Sequence, residues 1–348
     1  MNAAVTGGTG FLGQFLLPAL MRQGGQVRAL VRRREDADRL RALGVVPIDG
    51  DLTQPDGCDR LVEPSDVVFH AAARVDMTGS WREFSTLTIE GTRRLLEAAL
   101  PQRPRRFVYI SSAGVYARPR TLVPVSADRV AARPSPYNLY GRAKLAAELL
   151  VRRLCTEAGC PWVILRLGFL YGPGNRALFR RLAPLLRTGR LFIIGNGRNR
   201  IATLHVEDAV AAVVAAGIHT EAPGHVYDVA SSELVTQQEF LDGAADALGL
   251  PRCQRHVPYR LAFLAAGLAE LWTWISGRTP PFTRAMVALL AAEQAIDASR
   301  IVHELGCSPR IRFADSVQAG AWVEGPDGLD YVGTQKRALA SDRLHLEA

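Results

Sequence analysis

Thr6-Gly7-Gly8-Thr9-Gly10-Phe11-Leu12-Gly13 decides the fold of this 348-residue chain, because it places closely spaced glycines between an apolar run and a helical pattern. Residues 3–6 are typical of a buried strand, and an amphipathic pattern begins at Phe11. Small residues at such a turn let backbone N–H groups approach a pyrophosphate at a helix N-terminus, where the helix dipole favours negative charge. The stretch therefore predicts a dinucleotide-binding loop, with contacts made by Gly7, Thr9, Gly10, Phe11, Leu12 and Gly13.

Apolar runs alternate with helical patterns through the first two-thirds of the chain. Strands are predicted at 3–6, 27–31, 45–48, 67–70, 107–110 and 162–166, and helices near 11–23, 35–43, 81–99 and 138–158. This alternation predicts an α/β fold, a doubly wound parallel sheet of the Rossmann type with helices on both faces. We expect a cofactor-binding sheet domain at 1–166 with about 200–230 interleaved, a smaller, mostly helical substrate lobe at 167–325, and a loose tail at 326–348.

The composition is that of an ordinary globular protein, with 48% hydrophobic and 22% charged residues. The net charge of +8 suits anionic ligands, but the arginines form only short clusters, so we expect no nucleic-acid partner. Five cysteines without metal-ligand spacing predict no metal site and a reducing, cytoplasmic location. The longest apolar stretch, 261–275, is interrupted by Glu270 and too short to span a bilayer, and an alternative is that it lies on a membrane surface.

The second predicted strand indicates which dinucleotide binds. An NAD site usually ends this strand with a carboxylate that holds the ribose 2′-hydroxyl, but Val31 stands there and Arg32 follows. A guanidinium can clasp a 2′-phosphate, which favours NADP over NAD; the alternative is a solvent-facing basic loop. Asp51, followed by Leu52, could accept a hydrogen bond from the adenine amine or cap the next turn. After the fourth strand, a ribose or nicotinamide could lie flat on the small side chains of Ala71, Ala72 and Ala73.

Tyr140 and Lys144 are the strongest indication of catalysis. The chain has only two lysines, so chance gives about 0.05 Tyr-x-x-x-Lys pairs. Four residues apart on a helix, the phenol and the ammonium share a face. We expect Lys144, assisted by the positive nicotinamide of the oxidised cofactor, to lower the pKa of Tyr140 so that it serves as general acid and base. Ser112, at the end of the fifth strand, could hold the reacting oxygen, whereas His70 is interpreted as structural.

Together these motifs resemble the extended short-chain dehydrogenase/reductase superfamily. The similar segments are 6–13, 51–52, 70–73, 111–116, 140–144, 165–174 and 205–208. Residues 92–99, 165–173 and 257–283 resemble the 3β-hydroxysteroid dehydrogenase-like branch. The resemblance implies hydride transfer between a nicotinamide and an apolar secondary alcohol or ketone, of the 3β-hydroxysteroid or 3-oxo acid kind, with Lys144 also binding the nicotinamide ribose. It also implies a homodimer formed through 81–99 and 138–158. The apolar pocket is predicted to include Met77, Trp81, Ala113, Tyr116 and Phe169.

Two positions depart from the patterns of relatives. Sugar-nucleotide epimerases usually have Asn where this chain has Phe169, which weakens the interpretation as an epimerase. Arg200 and residues 203–208 leave that interpretation possible. Thr88 stands where some relatives have an Asn that supports a water-linked proton relay, which leaves the relay open here. The alternatives are therefore a sugar-nucleotide epimerase or reductase, and a non-catalytic NADP-binding sensor.

Overall fold

The computed structural model describes residues 1–54, 57–63, 65–75, 78–116, 126–127, 131–276, 280 and 282–318, with only the backbone of 273–276. Met77, predicted to line the pocket, and the predicted tail at 326–348 lie outside the described residues.

Seven of the described strands form one parallel sheet. All the strands of the described residues, in chain order, are β1 (Ala3–Thr6), β2 (Val27–Val31), β3 (Val46–Asp49), β4 (Val67–His70), β5 (Arg106–Ser112), β6 (Trp162–Leu167), β7 (Phe169–Tyr171), β8 (Ile193–Ile194), β9 (Arg200–Ile201), β10 (Thr203–His205), β11 (His225–Val229), β12 (Val235–Thr236) and β13 (His256–Val257). The sheet order is β3-β2-β1-β4-β5-β6-β11. The strand order reverses between β1 and β4, the position at which open α/β sheets bind ligands. The remaining strands pair two by two, β7 with β10, β9 with β12 and β8 with β13.

Helices cover both faces of this sheet, as the alternating pattern predicted. The α-helices of the described residues are α1 (Phe11–Arg22), α2 (Arg34–Ala42), α3 (Cys58–Val62), α4 (Trp81–Phe84), α5 (Gly91–Ala99), α6 (Leu139–Glu157), α7 (Arg176–Arg187), α8 (Val206–Ile218), α9 (Gln237–Leu248), α10 (Tyr259–Ser276), α11 (Arg284–Leu290), α12 (Ser299–Leu305) and α13 (Phe313–Gln318). Side chains alternate along a strand, so Ala3 and Val5 pack with α1 and α8, whereas Ala4 packs with α3, α5 and α6. The doubly wound Rossmann-type sheet is confirmed.

The C-terminal part of the described chain is mostly helical and has two apolar clusters of its own. One surrounds Tyr171, Phe179 and Phe240, where α7, α9 and α13 meet. The other joins β8 to α10 and α11 through Ile194, Ala266 and Val287. β11 pairs with β6 at the edge of the main sheet, so the chain returns to that sheet after leaving it. The domain bounds proposed from the sequence stay predictions, as does the homodimer.

The structure departs from the predicted elements in small ways. β3 begins one residue later than predicted, and a π-helix over Ser85–Glu90 interrupts the helix predicted at 81–99. Within the described residues, no helix combines the length and apolarity needed to cross a membrane. The cytoplasmic location stays a prediction.

Candidate active site

The glycine-rich loop lies at the reversal point of the strand order, between the ends of β1 and β4. Gly7 has a φ of +75°, and a Cβ on it would lie 2.7 Å from the backbone nitrogen of Ala72. Only glycine allows both the positive φ and this close crossing. A Cβ on Gly13 would overlap the carbonyl oxygen of Gly7, so the backbones of the loop and of the first turn of α1 are also in close contact. Gly10 is the N-cap of α1 and forms no side-chain cap, which leaves the first N–H groups of the helix for a phosphate.

His70 lies beneath this crossing in a directional chain of hydrogen bonds. Thr92 donates to the carbonyl oxygen of Thr88 at 2.5 Å, so its hydroxyl accepts from Nε2 of His70 at 2.8 Å. Nδ1 of His70 then accepts from the Thr6 hydroxyl at 2.6 Å, and the Thr6 oxygen in turn accepts from the backbone of Ala72 at 3.3 Å. Burial, with a smaller effect of Lys144, lowers the pKa of His70 to about 3. The imidazole is neutral and fully paired, in agreement with its interpretation as structural.

The residues predicted to hold the adenosine end lie together at the ends of β2 and β3. Arg32 has a 67% exposed side chain, with its Nη1 3.7 Å from Oδ2 of Asp51. Oδ1 of Asp51 accepts from the backbone of Thr53 at 2.8 Å, so the turn-capping interpretation of this carboxylate is observed. Leu52 is buried, and its carbonyl oxygen accepts from Arg94 at 2.9 Å. Arg32 and Asp51 thus lie together at this edge, and their contact with a cofactor stays a prediction.

The three predicted catalytic residues converge at the end of β5 and the start of α6. Ser112 ends β5, and Tyr140 lies in the first turn of α6. A Cβ placed on Gly114 would lie 3.3 Å from Oγ of Ser112 and 3.6 Å from the Tyr140 ring, so both side chains border the same glycine. One turn further along α6, the buried Lys144 donates to the carbonyl oxygen of Ile110 at 2.6 Å.

Burial dominates the electrostatics of this site. It raises the pKa of Tyr140, and the Ser112 hydroxyl offsets only part of that rise. Burial also lowers the pKa of Lys144 to about 7, while Glu148 acts in the opposite direction. Among the protein's own groups, burial therefore outweighs any lowering by Lys144, which is itself desolvated and so disfavoured in its charged form. The lowering expected from Lys144 together with the positive nicotinamide stays a prediction.

Asn138, which the sequence interpretation missed, holds in place α6, the helix of Tyr140 and Lys144. Its Oδ1 accepts from the backbone of Gly141 at 2.8 Å, and its Nδ2 donates to the carbonyl oxygen of Gly114 at 3.0 Å. It therefore caps α6 and ties the helix start to the turn that follows Ser112. An Asn immediately before a helical pattern is a cap signal that could have identified it.

A buried polar network behind the site also went unpredicted. Arg166 binds both carboxylate oxygens of Glu148, with Nη2 to Oε2 at 2.6 Å, and Ser111 donates to the same carboxylate at 2.5 Å. Arg166 also donates to the Tyr116 hydroxyl at 2.5 Å, and this hydroxyl donates to Asp228 at 3.1 Å. Tyr116 was predicted to line the substrate pocket, but its hydroxyl is used by this network and its ring lies under Arg166.

The other predicted pocket residues differ in exposure. Phe169 is 37% exposed with its ring edge on Phe240 at 5.1 Å, and Trp81 is 40% exposed beneath the guanidinium of Arg142. Ala113 begins the turn that follows Ser112. Thr88 belongs to the π-helix, and its buried hydroxyl has no partner among the described residues. Such local helix distortions are frequent at functional sites.

Two polar residues that left a sugar-nucleotide substrate possible are bound to other groups of the protein. Arg200 pairs through Nε with the carboxylate of Glu293, whose side chain is 12% exposed. Asp208 accepts from the backbone of Arg310 and Ile311, fastening that segment to the start of α8. Among the described residues, no group of histidine, cysteine, aspartate or glutamate side chains could hold a metal ion.

A glycine loop at the reversal point of a doubly wound sheet, with Ser112, Tyr140 and Lys144 at the same edge, defines an enzyme of the extended short-chain dehydrogenase/reductase class. Residues 3–230 match the family described as NAD dependent epimerase/dehydratase, and the chain belongs to this family. The predicted superfamily and the prediction of a nicotinamide-dependent oxidoreductase are confirmed by this match and by the relatives below.

Two curated relatives cover nearly the whole chain. A 4-hydroxy-2-methyl-3-oxo-4-farnesyl-3,4-dihydroquinoline-1-oxide ketoreductase of Stigmatella aurantiaca is 31% identical over 92% of this chain and 95% of that protein. A 2-alkyl-3-oxoalkanoate reductase of Stenotrophomonas maltophilia is 29% identical over 91% of this chain and 98% of that protein. Proteins named as 3beta-hydroxysteroid dehydrogenases also match.

Solved structures agree on the fold. UDP-glucuronic acid 4-epimerase from Bacillus cereus, in complex with UDP-glucuronic acid and NAD, superposes with a TM-score of 0.71. The match covers 92% of this chain and 98% of the epimerase at 23% identity. At that identity the likeness bears on the fold alone.

Proposed function

We propose that this protein is an NADP-dependent reductase of apolar ketones, with Tyr140 as the proton donor. The observation that carries the proposal is the convergence of Ser112, Tyr140 and Lys144 beside the glycine-rich loop. The nicotinamide, when bound, supplies the hydride for the carbonyl carbon. Ser112 holds the carbonyl oxygen by a hydrogen bond, and Tyr140 gives its phenolic proton to that oxygen as negative charge develops.

The protonation state of Tyr140 favours the reductive direction. Because burial raises its pKa, the phenol keeps its proton at neutral pH and is ready to donate it. Oxidation of an alcohol instead requires the phenolate, which the protein's own groups disfavour. A positive nicotinamide ring close to the phenol would supply the missing stabilisation in that direction.

An apolar substrate is supported by what surrounds the site. Phe169 presents a partly exposed aromatic edge, and a phenyl ring cannot hydrogen-bond a diphosphate. The guanidinium of Arg200 pairs with Glu293, so part of its charge is already balanced within the protein. Two relatives are named as a ketoreductase and a 2-alkyl-3-oxoalkanoate reductase. The second candidate, a sugar-nucleotide epimerase or reductase, is favoured by the family description and by the position of Arg200.

Turnover with a panel of substrates tests the proposal. Purified protein is given NADPH or NADH with a 3-oxosteroid, a long-chain 2-alkyl-3-oxo acid and two UDP-sugars, and loss of reduced nicotinamide absorbance is followed. We expect turnover of an apolar ketone, and a roughly 10²–10⁴-fold lower kcat for Tyr140→Phe with an unchanged Kd for NADPH.

Tyr137→Phe is the matched control, because Tyr137 lies three residues earlier and its ring packs on Phe263 and under Arg284. This variant should keep full activity. Full turnover by Tyr140→Phe would refute the assigned proton donor, and turnover of UDP-sugars alone would refute the apolar substrate.

The preference for NADP is proposed to depend on Arg32. Its exposed guanidinium follows Val31, which takes the place of the acid expected for NAD. Arg32→Gln should raise the Kd for NADPH by roughly 10–100-fold and leave the Kd for NADH within about twofold, since only NADPH carries the 2′-phosphate. Arg33→Gln is the control, because Arg33 is similarly exposed but pairs with Asp36. Equal affinity of the unmodified protein for NADH and NADPH would contradict the proposal.

A further inference from the structure

One face of α10 exposes a continuous row of large apolar side chains. Its members lie three, four, three and one residues apart and are 57% to 68% exposed; they are Leu261, Leu264, Leu268, Leu271 and Trp272. This spacing places them along one side of a helix, and we refer to them as the α10 stripe. The opposite side, with Ala262 and Ala266, is buried against β8 and α11.

The α10 stripe is unlike the other exposed apolar residues. Single exposed leucines are common on protein surfaces, whereas contiguous apolar patches mark interaction sites. Five of the fifteen large hydrophobic side chains that are exposed among the described residues lie within twelve positions of this one helix. The ten others are spread over the rest of the described chain.

Cationic side chains surround the N-terminal end of the stripe. Arg255 and Arg260 are exposed just before it. Arg255 donates to the carbonyl oxygen of Gly189 at 2.9 Å, which brings the exposed Arg190 to the same end. The whole chain carries a net charge of +8. A helix with an apolar face, Trp and Leu on that face and basic residues beside it has the chemistry of a segment that lies in the interface of an anionic bilayer.

A second copy of the chain fits this surface less well. A stable protein interface uses roughly 20–30 residues a side with a polar rim. The stripe offers five side chains from one helix, and the arginines at its N-terminal end all carry the same sign of charge. We propose that the α10 stripe, with Arg190, Arg255 and Arg260, docks the protein onto anionic lipid bilayers.

The buried side of α10 connects this surface to the catalytic helix. Phe263 packs edge-on against Tyr137 with ring centroids 5.4 Å apart, and Tyr137 precedes Tyr140 by three residues. Docking would therefore bring the start of α6 next to the helix that contacts the lipid. Access of a membrane-dissolved ketone along this route rests on the proposed function; the docking itself does not.

Vesicle sedimentation tests the proposal without any turnover. Full-length protein is mixed with vesicles of phosphatidylcholine alone, or of phosphatidylcholine with phosphatidylglycerol, at low and high salt. We expect binding to the anionic vesicles that weakens with salt, and little binding to the neutral ones. Leu264→Gln/Leu268→Gln should reduce the bound fraction by roughly tenfold or more, since two leucines no longer enter the lipid.

Matched variants keep the result interpretable. Leu43→Gln makes the same change at a 52% exposed leucine far from α10 in the sequence and should bind like the unmodified protein. Trp272→Phe should remove the fluorescence that brominated lipids quench, which locates the contact. Equal thermal unfolding of all variants shows that each is folded.

Three outcomes would overturn the proposal. The unmodified protein could fail to sediment with anionic vesicles, or Leu264→Gln/Leu268→Gln could bind as well as Leu43→Gln. Light scattering could also show that Leu264→Gln/Leu268→Gln converts a dimer to monomers, which would make the stripe an interface between copies. Vesicle binding with no ketone turnover would leave the docking in place and count only against the proposed function.

Discussion

Lys144 is the residue that most clearly indicates function in the sequence, and the structure shows that its burial disfavours its charged form. Its rarity and its spacing from Tyr140 identify it, because both are properties of the sequence. Its 2% exposure is a tertiary property, since β5 lies directly over the ammonium and Ile110 accepts its hydrogen bond. A buried lysine carries a desolvation penalty whenever it is charged, and the charge of Glu148, about one turn along α6, offsets only part of it.

Replacing this lysine should stabilise the protein while abolishing activity. The pKa of Lys144 falls from its ordinary value to about 7 on folding, so between these values the unfolded chain binds more protons and stability rises with pH. The penalty is therefore fully present below about pH 7 and absent above about pH 10.5. Lys144→Met should raise the free energy of unfolding by ~1–4 kcal/mol at pH 6 and by much less at pH 10.

Urea denaturation at the two pH values measures this difference. Arg142→Met, an exposed change two residues before Lys144 on the same helix, should shift stability equally at both pH values. If Lys144→Met destabilised the protein by the same amount at pH 6 and pH 10, the buried ammonium would not be the source of the penalty.

At the scale of elements, features that depend on a few neighbouring residues could be predicted from the sequence. Features that depend on residues distant in the chain could not. The glycine-rich loop and α6 were placed within one residue, because turn glycines and helical periodicity act over a few neighbours. The π-helix over Ser85–Glu90 was not predicted, since it changes backbone pairing without changing residue type. β3 was misplaced by one residue because Val45 and Val46 are both apolar.

The polar network shows the same limit within the site. Ser111 and Ser112 are adjacent in sequence, yet one serves the buried Glu148 and the other faces Tyr140. Strand alternation predicts that they point to opposite sides but not what each side contains. Tyr116 was assigned to the pocket for the same reason, because its partners Arg166 and Asp228 come together only in the folded sheet.

At the scale of the whole molecule, this network joins the catalytic helix to the far edge of the sheet. Glu148 lies on α6, Arg166 on β6 and Asp228 on β11, with Tyr116 between the last two. Burial raises the pKa of Asp228 to about 7, whereas Arg166 favours its charged form. The folded chain therefore binds more protons than the unfolded one between about pH 4 and 7, so this group's contribution to stability declines as pH rises through that window.

Breaking the central pair should cost far more than breaking an exposed one. The side chains of this pair are only 2% and 7% exposed, so Glu148→Gln leaves the charge of Arg166 buried and unpaired. We therefore expect the free energy of unfolding, measured by urea denaturation, to fall by about 3–5 kcal/mol. Asp38→Asn is the control, since its ion pair with Arg41 has a similar 2.6 Å distance but lies at the surface, and it should cost under about 1 kcal/mol. Glu148→Leu/Arg166→Met should recover much of the loss, because removing both charges removes the unpaired one. If Glu148→Gln cost no more than Asp38→Asn, the network would not hold the sheet edge to the catalytic helix, and its burial would be incidental to stability.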